Sequence, residues 1–126
     1  PNGRRNTPCS TKRARKAAAT ADRRLRAACA GADDASMHRA RKAAKRARYA
    51  GELLRPLGHG RRQTKRYKRV QVLLGDLQDA VVAAATLRRL VSGIPAGESG
   101  FTLGLLYAGE RRAAKRLRRR ACGLLR

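Results

Sequence analysis

A chain of 126 residues fits one domain with a modest core, and this one carries 32 Lys and Arg against 8 Asp and Glu, a formal net charge of +24. Repulsion among that many charges opposes a compact state unless a polyanion neutralises them, so the composition predicts a polyanionic partner. With one Phe, three Tyr and no Trp, the chain has few rings for stacking unpaired bases. No apolar run approaches the ~20 residues of a membrane span, which argues against membrane insertion.

The first predicted helix covers residues 8–30 and follows a loose segment at residues 1–6. Pro8 suits a first turn, because proline fixes φ near its helical value and the first N–H groups have no partner within the helix. One side of this helix is mostly alanine, whereas Lys12 and Lys16 lie on the other. Alanine favours helix and lets helix axes approach closely.

The second predicted helix, residues 35–55, separates its residue types most sharply. At about 100° per residue its alanines fall on one face, opposite a cationic face that carries one imidazole and one phenol. A strand would scatter both sets. The cationic face, with Arg48 at its edge, comprises His38, Arg41, Lys42, Lys45, Arg48, Tyr49 and Glu52. A solvated surface is the simplest interpretation of such a face, but few acids at i,i+4 compensate the charge, which favours a ligand.

The third and fourth predicted helices cover residues 62–91 and 98–124. The third has the richest apolar stripe and is expected at the centre of the core. Gly75 inside it costs about 1 kcal/mol relative to alanine, which indicates a close neighbour or a kink. The fourth carries another basic ridge, formed by Arg112, Lys115, Arg116, Arg119 and Arg120. Short turns between four such helices predict one all-α domain over residues 1–126, an antiparallel four-helix bundle.

Two segments carry a more specific pattern. One is His38-x-x-Arg41-Lys42-x-x-Lys45-Arg46-x-Arg48-Tyr49, followed by Glu52-Leu53-Leu54, and the other is Leu73-Leu74-Gly75-Asp76-Leu77-Gln78-Asp79. Together they resemble the CHAD family, the conserved-histidine α-helical domain, most specifically over residues 37–90. The family domain usually has two related four-helix halves around a basic channel, and this chain resembles the C-terminal half.

The resemblance implies a non-catalytic helical domain that binds inorganic polyphosphate and associates with polyphosphate granules in the cytoplasm. The family's ligand-facing positions correspond to His38, Arg41, Lys42, Lys45, Arg48 and Tyr49. Because the family channel lies between two halves, a second CHAD half or a second copy of this chain is an expected partner.

The basic ridges of the first and fourth helices are expected to complete a polyphosphate groove. The residues expected to do so are Lys12, Lys16, Arg112, Lys115, Arg116 and Arg119. Buried against the basic face, Glu52 and Asp79 would orient its Lys and Arg side chains, although both acids would also suit an ordinary helix surface. We hypothesise that His38 donates to a phosphate oxygen and takes up a proton when the polymer binds.

Other functions fit the sequence less well. A basic helical protein that binds nucleic acid is the main alternative, because its charge would serve equally. A phosphoanhydride-cleaving enzyme is disfavoured, since the chain lacks a phosphate-cradling G-x-x-x-x-G-K-[ST] loop and a carboxylate cluster for Mg²⁺; no cofactor or metal is expected. Binding to an anionic membrane surface is disfavoured because the alanine stripes are needed for the core.

The cysteines predict no covalent framework. Cys9, Cys29 and Cys122 are odd in number and widely spaced, without a C-x-x-C motif. We therefore expect free or buried thiols in a reducing cytoplasm rather than disulfides or a metal site.

Overall fold

The computed structural model of the chain describes residues 2–31, 33–95 and 100–125, with the side chains of residues 2–8 left aside. The described elements are α1 (Asn2–Gly31), α2 (Asp34–Leu54), a 3₁₀ turn (Arg55–Leu57), α3 (Arg61–Ser92) and α4 (Phe101–Gly123). No strand occurs in these ranges. The predicted all-α helical bundle is therefore confirmed.

The start of α1 differs from the prediction. The helix begins at Asn2, so residues 2–6, expected to be loose, are helical, and Pro8 lies within the helix. The expected start depended on Pro8, because a proline inside a helix removes one backbone hydrogen bond and its ring crowds the carbonyl four residues earlier. The helix nevertheless continues through Pro8. Pro1 and residues 96–99, where the fourth helix was expected to begin, lie outside the described residues.

The start of α2 is capped by a side chain. Asp33 is the N-cap, and its carboxylate accepts a hydrogen bond from the Ser36 backbone N–H over 3.2 Å. Hydrogen bonding to Ser36 lowers the pKa of Asp33. Asp34 follows in the first turn, where a negative charge is favourable beside the helix dipole.

Alanines of α1 and α2 pack against larger side chains of α3 to form the core. Ala28 of α1 and both Ala44 and Ala47 of α2 are completely buried. These small side chains allow close helix packing, and α3 provides most of the volume. Its main buried residues are Tyr67, Val70, Leu73, Leu74 and Leu77. This arrangement agrees with the expectation that the third helix lies at the centre.

Two side chains of α3 tie three helices together by hydrogen bonds. The Gln63 amide donates to the carbonyl oxygens of Ala14 in α1, over 3.0 Å, and Ala47 in α2, over 2.9 Å. The Tyr67 hydroxyl lies 2.8 Å from Oδ1 of Asp22 in α1. Because these polar groups are partnered inside the bundle, they fix how the helices pack rather than weakening the core.

The cysteine prediction is wrong for two of the three residues. Cys29, in the last turns of α1, forms a disulfide with Cys122, in the last turns of α4, across 93 residues of sequence. Cys9 is free and exposed. Wide spacing gave no indication of the pair, because the fold brings two distant helix ends together.

The helix α3 bears on the expectation that no apolar run is long enough to span a membrane. By length and composition alone, α3 is long and apolar enough to cross a membrane. The core helix of a soluble protein passes the same test, and α3 forms the core of this bundle.

Substitution by alanine is expected to have opposite effects on stability at two helical glycines, Gly51 and Gly75. A β-carbon at Gly51 would lie 2.7 Å from the Thr64 hydroxyl oxygen and 3.0 Å from the Thr64 backbone nitrogen, so α3 would have to shift. A β-carbon at Gly75 would lie 3.6 Å from Nη2 of Arg41, an ordinary contact. Gly51→Ala is expected to lower the free energy of unfolding by about 1–3 kcal/mol, whereas Gly75→Ala should raise it by up to about 1 kcal/mol. Urea unfolding of both variants checks this, and equal effects would contradict the packing described.

The Tyr67 hydroxyl predicts a loss of stability at alkaline pH. Burial, followed by the hydrogen bond to Asp22, raises the pKa of Tyr67 to about 12, above the value of about 10 for an unfolded tyrosine. Between these pH values the native state holds a proton that the unfolded state has lost, so stability falls as the pH rises through this window.

Comparison with Tyr67→Phe isolates this effect, because both proteins share the same lysine titrations. At neutral pH the variant should be less stable by about 1 kcal/mol, and the difference should shrink from about pH 10 upward. Denaturant unfolding at a series of pH values measures it. A difference that stays constant up to pH ~11.5 would show that the hydroxyl proton is not held as described.

The disulfide makes a third prediction for stability. A crosslink over 93 residues restricts the unfolded chain, so reduction should lower the free energy of unfolding by about 2–4 kcal/mol. The measurement is urea unfolding of a Cys9→Ser variant, which removes the free thiol, with and without reductant. Alkylation of two thiols before any reductant is added would refute the disulfide itself.

Candidate functional site

A partly open cavity of about 170 Å³ lies between α2, α3 and α4. We call it the α2–α4 cavity. Its floor is formed by side chains that are buried or partly buried, namely Met37, Leu74, Leu77, Val81 and Ala114. Its rim is formed by cationic and imidazole side chains, namely His38, Arg41, Arg111, Lys115 and Arg118. The site thus combines positive charge with an apolar base.

From α2, the cavity receives His38 and Arg41, which are one helical turn apart and both exposed. The Arg41 guanidinium lies against Gly75 of α3. The guanidinium leaves room for a β-carbon at Gly75, so it is not the close neighbour that this glycine indicated. Arg41 has no hydrogen bond or ion pair with any residue that the structure describes, so its donors are available to a ligand.

From α4, the rim receives Arg111, Lys115 and Arg118, spaced four and then three residues apart so that they share one helix face. Arg118 reaches the end of α1, where its Nη2 donates to the carbonyl oxygens of Ala28, over 3.2 Å, and Cys29, over 3.0 Å. A cation suits these carbonyls because they lie at the negative end of a helix. Lys115 is exposed and has no partner within the described ranges.

Arg48 is held by its neighbours rather than left free. Its Nε donates to Oε1 of Glu52 over 3.0 Å, and its Nη1 donates to Oε1 of Gln71 in α3 over 3.1 Å. Glu52 therefore contacts the basic face in the orienting position expected for it. Asp79 does not, since it is exposed and makes no hydrogen bond or ion pair with a described residue.

Tyr49 is half exposed and lies between two cations. Its ring centroid is 5.8 Å from Nζ of Lys45 and 5.8 Å from Cζ of Arg48, distances suited to cation–π attraction. The ring thus helps to position both cations on the exposed side of α2.

The remaining predicted residues do not line the α2–α4 cavity. The exposed ones are Lys12 on α1, Lys42 and Lys45 on α2, and Arg112, Arg116 and Arg119 on α4. Lys16 lines a separate shallow groove between α1 and α2, together with Arg13 and Arg46. Of the predicted set, the cavity brings together only His38, Arg41 and Lys115, so the ridges of α1 and α4 do not form one continuous groove with α2.

Sequence reasoning missed Arg111, Arg118, Asp34 and Gln78, which also line the cavity. The spacing of Arg111, Lys115 and Arg118 was visible, but so was that of the neighbouring ridge. Only the rotation of α4 against the core determines which of these cations line the cavity.

The arrangement can bind anions, and it shows no sign of a metal centre. In the ranges that the structure describes, no group of three His, Cys, Asp or Glu side chains is placed to hold a metal ion. Arg111 donates to the Tyr107 hydroxyl over 3.0 Å and Arg118 to the end of α1. Arg41 and Lys115 are thus the unpaired guanidinium and ammonium of this rim within the described ranges. Together they favour a phosphate-bearing ligand, because Arg can contact two phosphate oxygens at once and Lys provides a mobile charge.

Comparison with protein families agrees with the helical pattern. The family model described as "CHAD domain" matches residues 4–88. The chain belongs to the CHAD family. In this CHAD domain the matched residues include His38 and Arg41, whereas the three α4 cations of the cavity lie beyond the match.

Two related proteins of Mycobacterium tuberculosis resemble this CHAD domain. They are "Uncharacterized protein MT2285" of strain CDC 1551 / Oshkosh and "Uncharacterized protein Rv2226" of strain ATCC 25618 / H37Rv. Each is 38% identical over 86 residues, which is 68% of this chain but 16% of the relative. The chain therefore matches a small part of much longer proteins. No solved structure matches it.

Proposed function

We propose that this CHAD domain binds inorganic polyphosphate at the α2–α4 cavity and the adjoining exposed face of α2, without cleaving it. The observation that carries the proposal is the convergence of Arg41 and Lys115, from two helices, on one cavity while both charges lack partners among the described residues. A net charge of +24 also supports the proposal, because a bound polyanion would relieve the repulsion among these charges.

The mechanism of binding follows from the placement of the cations. Arg41 and Lys115 hold one stretch of phosphates at the cavity, and Lys42 and Lys45 extend the positive surface along α2. Successive phosphates of a flexible polymer can meet these charges in turn. Most of the binding free energy then comes from release of counterions, so affinity falls steeply with salt, as it does for nucleic acids.

The proposal includes a location and partners. We place the domain in the cytoplasm at polyphosphate granules, with a second CHAD half or a second copy of the chain as its protein partner. In a reducing cytoplasm Cys29 and Cys122 would be neighbouring thiols, since disulfides persist mainly in oxidising compartments. The proposed cytoplasmic location therefore predicts that Cys29 and Cys122 are reduced in the cell.

Nucleic-acid binding is the second candidate function, favoured by cations on other sides of the bundle. A groove between α3 and α4 is lined by Lys65, Lys68, Arg69 and Arg120, and Lys16 lies in the groove between α1 and α2. A duplex could contact such dispersed charges through its backbone alone. It would then depend little on the α2–α4 cavity, which separates the two candidates.

The test compares two triple variants of equal charge. Arg41→Gln/Lys45→Gln/Lys115→Gln removes the proposed site. Arg55→Gln/Arg61→Gln/Arg62→Gln removes three exposed cations from the 3₁₀ turn and the start of α3. Long-chain polyphosphate should bind the site variant at least about tenfold more weakly than the control variant at moderate salt, because charge-assisted contacts are lost. For the site variant, the slope of log affinity against log salt should be less steep by about 2, because each of the three lost contacts contributes about 0.7.

Duplex DNA at the same phosphate concentration serves as the competing ligand, and phosphate release with Mg²⁺ or Mn²⁺ tests cleavage. We expect polyphosphate to bind more tightly than DNA and to remain intact. If both triple variants weaken polyphosphate equally, binding is by net charge alone and the cavity is not the site. If DNA binds more tightly, the second candidate replaces the first.

A further inference from the structure

The apolar floor of the α2–α4 cavity is unexplained by a polyphosphate ligand. Polyphosphate has only oxygen-bearing groups to offer, yet Leu74, Leu77 and Val81 face the space that the cations surround. Apolar side chains around a pocket contribute affinity when a ligand covers them with apolar surface of its own. The floor thus points to a ligand with an apolar part next to its phosphates.

The volume of the cavity limits the size of that part. At about 170 Å³, the cavity is slightly larger than an apolar cavity of about 150 Å³ that holds benzene. One aromatic ring therefore fits on the floor. Because the cavity is partly open, a second fused ring or a sugar can extend toward solvent and the cationic rim.

Two polar residues at the cavity suit a heterocyclic ring. Asp34 brings a carboxylate to a site that is otherwise cationic, and Gln78 brings an amide that both donates and accepts. A carboxylate repels phosphate, but it accepts a hydrogen bond from an exocyclic amino group. The combination of apolar floor, amide and carboxylate is thus better suited to an amino-bearing nucleobase than to phosphate.

We infer that the α2–α4 cavity binds a nucleoside polyphosphate whose base carries an amino group, with the ring on the Leu74–Leu77–Val81 floor and the phosphates toward Arg41 and Lys115. This inference rests on the proposed function only in requiring that the cationic rim binds phosphate. The cavity would then hold either a short nucleotide or a segment of polymer, and the two would compete.

ATP and inorganic tripolyphosphate are the probes, measured by calorimetry without divalent metal. Tripolyphosphate carries at least as much negative charge as the triphosphate of ATP, so tighter binding of ATP cannot come from charge. Covering the floor with a ring should make ATP bind about tenfold more tightly than tripolyphosphate. ATP should also displace polyphosphate from the chain.

Val81→Thr tests the floor, because it replaces one methyl group by a hydroxyl. It should weaken ATP binding about fourfold and leave tripolyphosphate binding unchanged. Val82→Thr is the matched control, since Val82 is exposed and does not line the cavity. Unchanged tripolyphosphate binding also shows that the Val81→Thr variant is folded.

The outcomes separate this inference from the proposed function. If polyphosphate binds in an Arg41-dependent way but ATP binds no more tightly than tripolyphosphate, the nucleotide inference is overturned and the proposed function stands. If Val81→Thr weakens both probes equally, the floor does not contact a base and the inference is overturned as well. If ATP binds with the expected Val81 dependence while long polyphosphate does not bind, the nucleotide inference stands and the proposed function fails.

Discussion

Close packing through alanine sets the distances between the charged surfaces of this domain. Ala43, Ala44 and Ala47 form almost the whole buried face of the middle of α2, and such small side chains bring neighbouring helix axes together. The cations on the outward faces are thereby brought close to one another as well. The described residues contain two salt bridges, Arg48–Glu52 and Arg66–Asp22, both partly exposed, so most of the positive charge is not balanced within the chain.

The parts of the fold that depend on local pattern could be predicted from the sequence. Helix order and the central role of α3 follow from periodic apolar residues, which one helix displays on its own. The start of α1 was predicted wrongly, because proline is favourable in a first turn and costly in a helix interior, whereas α1 begins at Asn2 and contains Pro8 in its interior. The Cys29–Cys122 pair could not be predicted either, since it depends on how two helix ends 93 residues apart meet.

The same distinction applies to the candidate site. The contribution of α2, with His38 and Arg41, was predictable because it lies on one amphipathic helix. The contribution of α4 was predicted only at Lys115, because cations lie on several sides of that helix and, of the predicted ridge, Lys115 is the residue that meets the cavity. To know which cations of α4 line the cavity, one must know how the helix is rotated against the core, and long-range packing determines that rotation. Arg112, Arg116 and Arg119 of the same ridge are exposed and do not line the cavity.

The position of α4 is set mainly by α3, and the end of α1 provides a second, smaller attachment. Helices α1 and α4 make few contacts with each other, and among those that join them are the disulfide at Cys122 and the hydrogen bonds of Arg118, one helical turn earlier. Arg118 also lines the cavity. A change that releases α4 from α1 would therefore remove one of the attachments of the helix that carries Arg111, Lys115 and Arg118, while its packing on α3 remains. The thin core and the binding surface are linked at this junction, where the bundle closes through a few polar and covalent contacts rather than through a broad apolar interface.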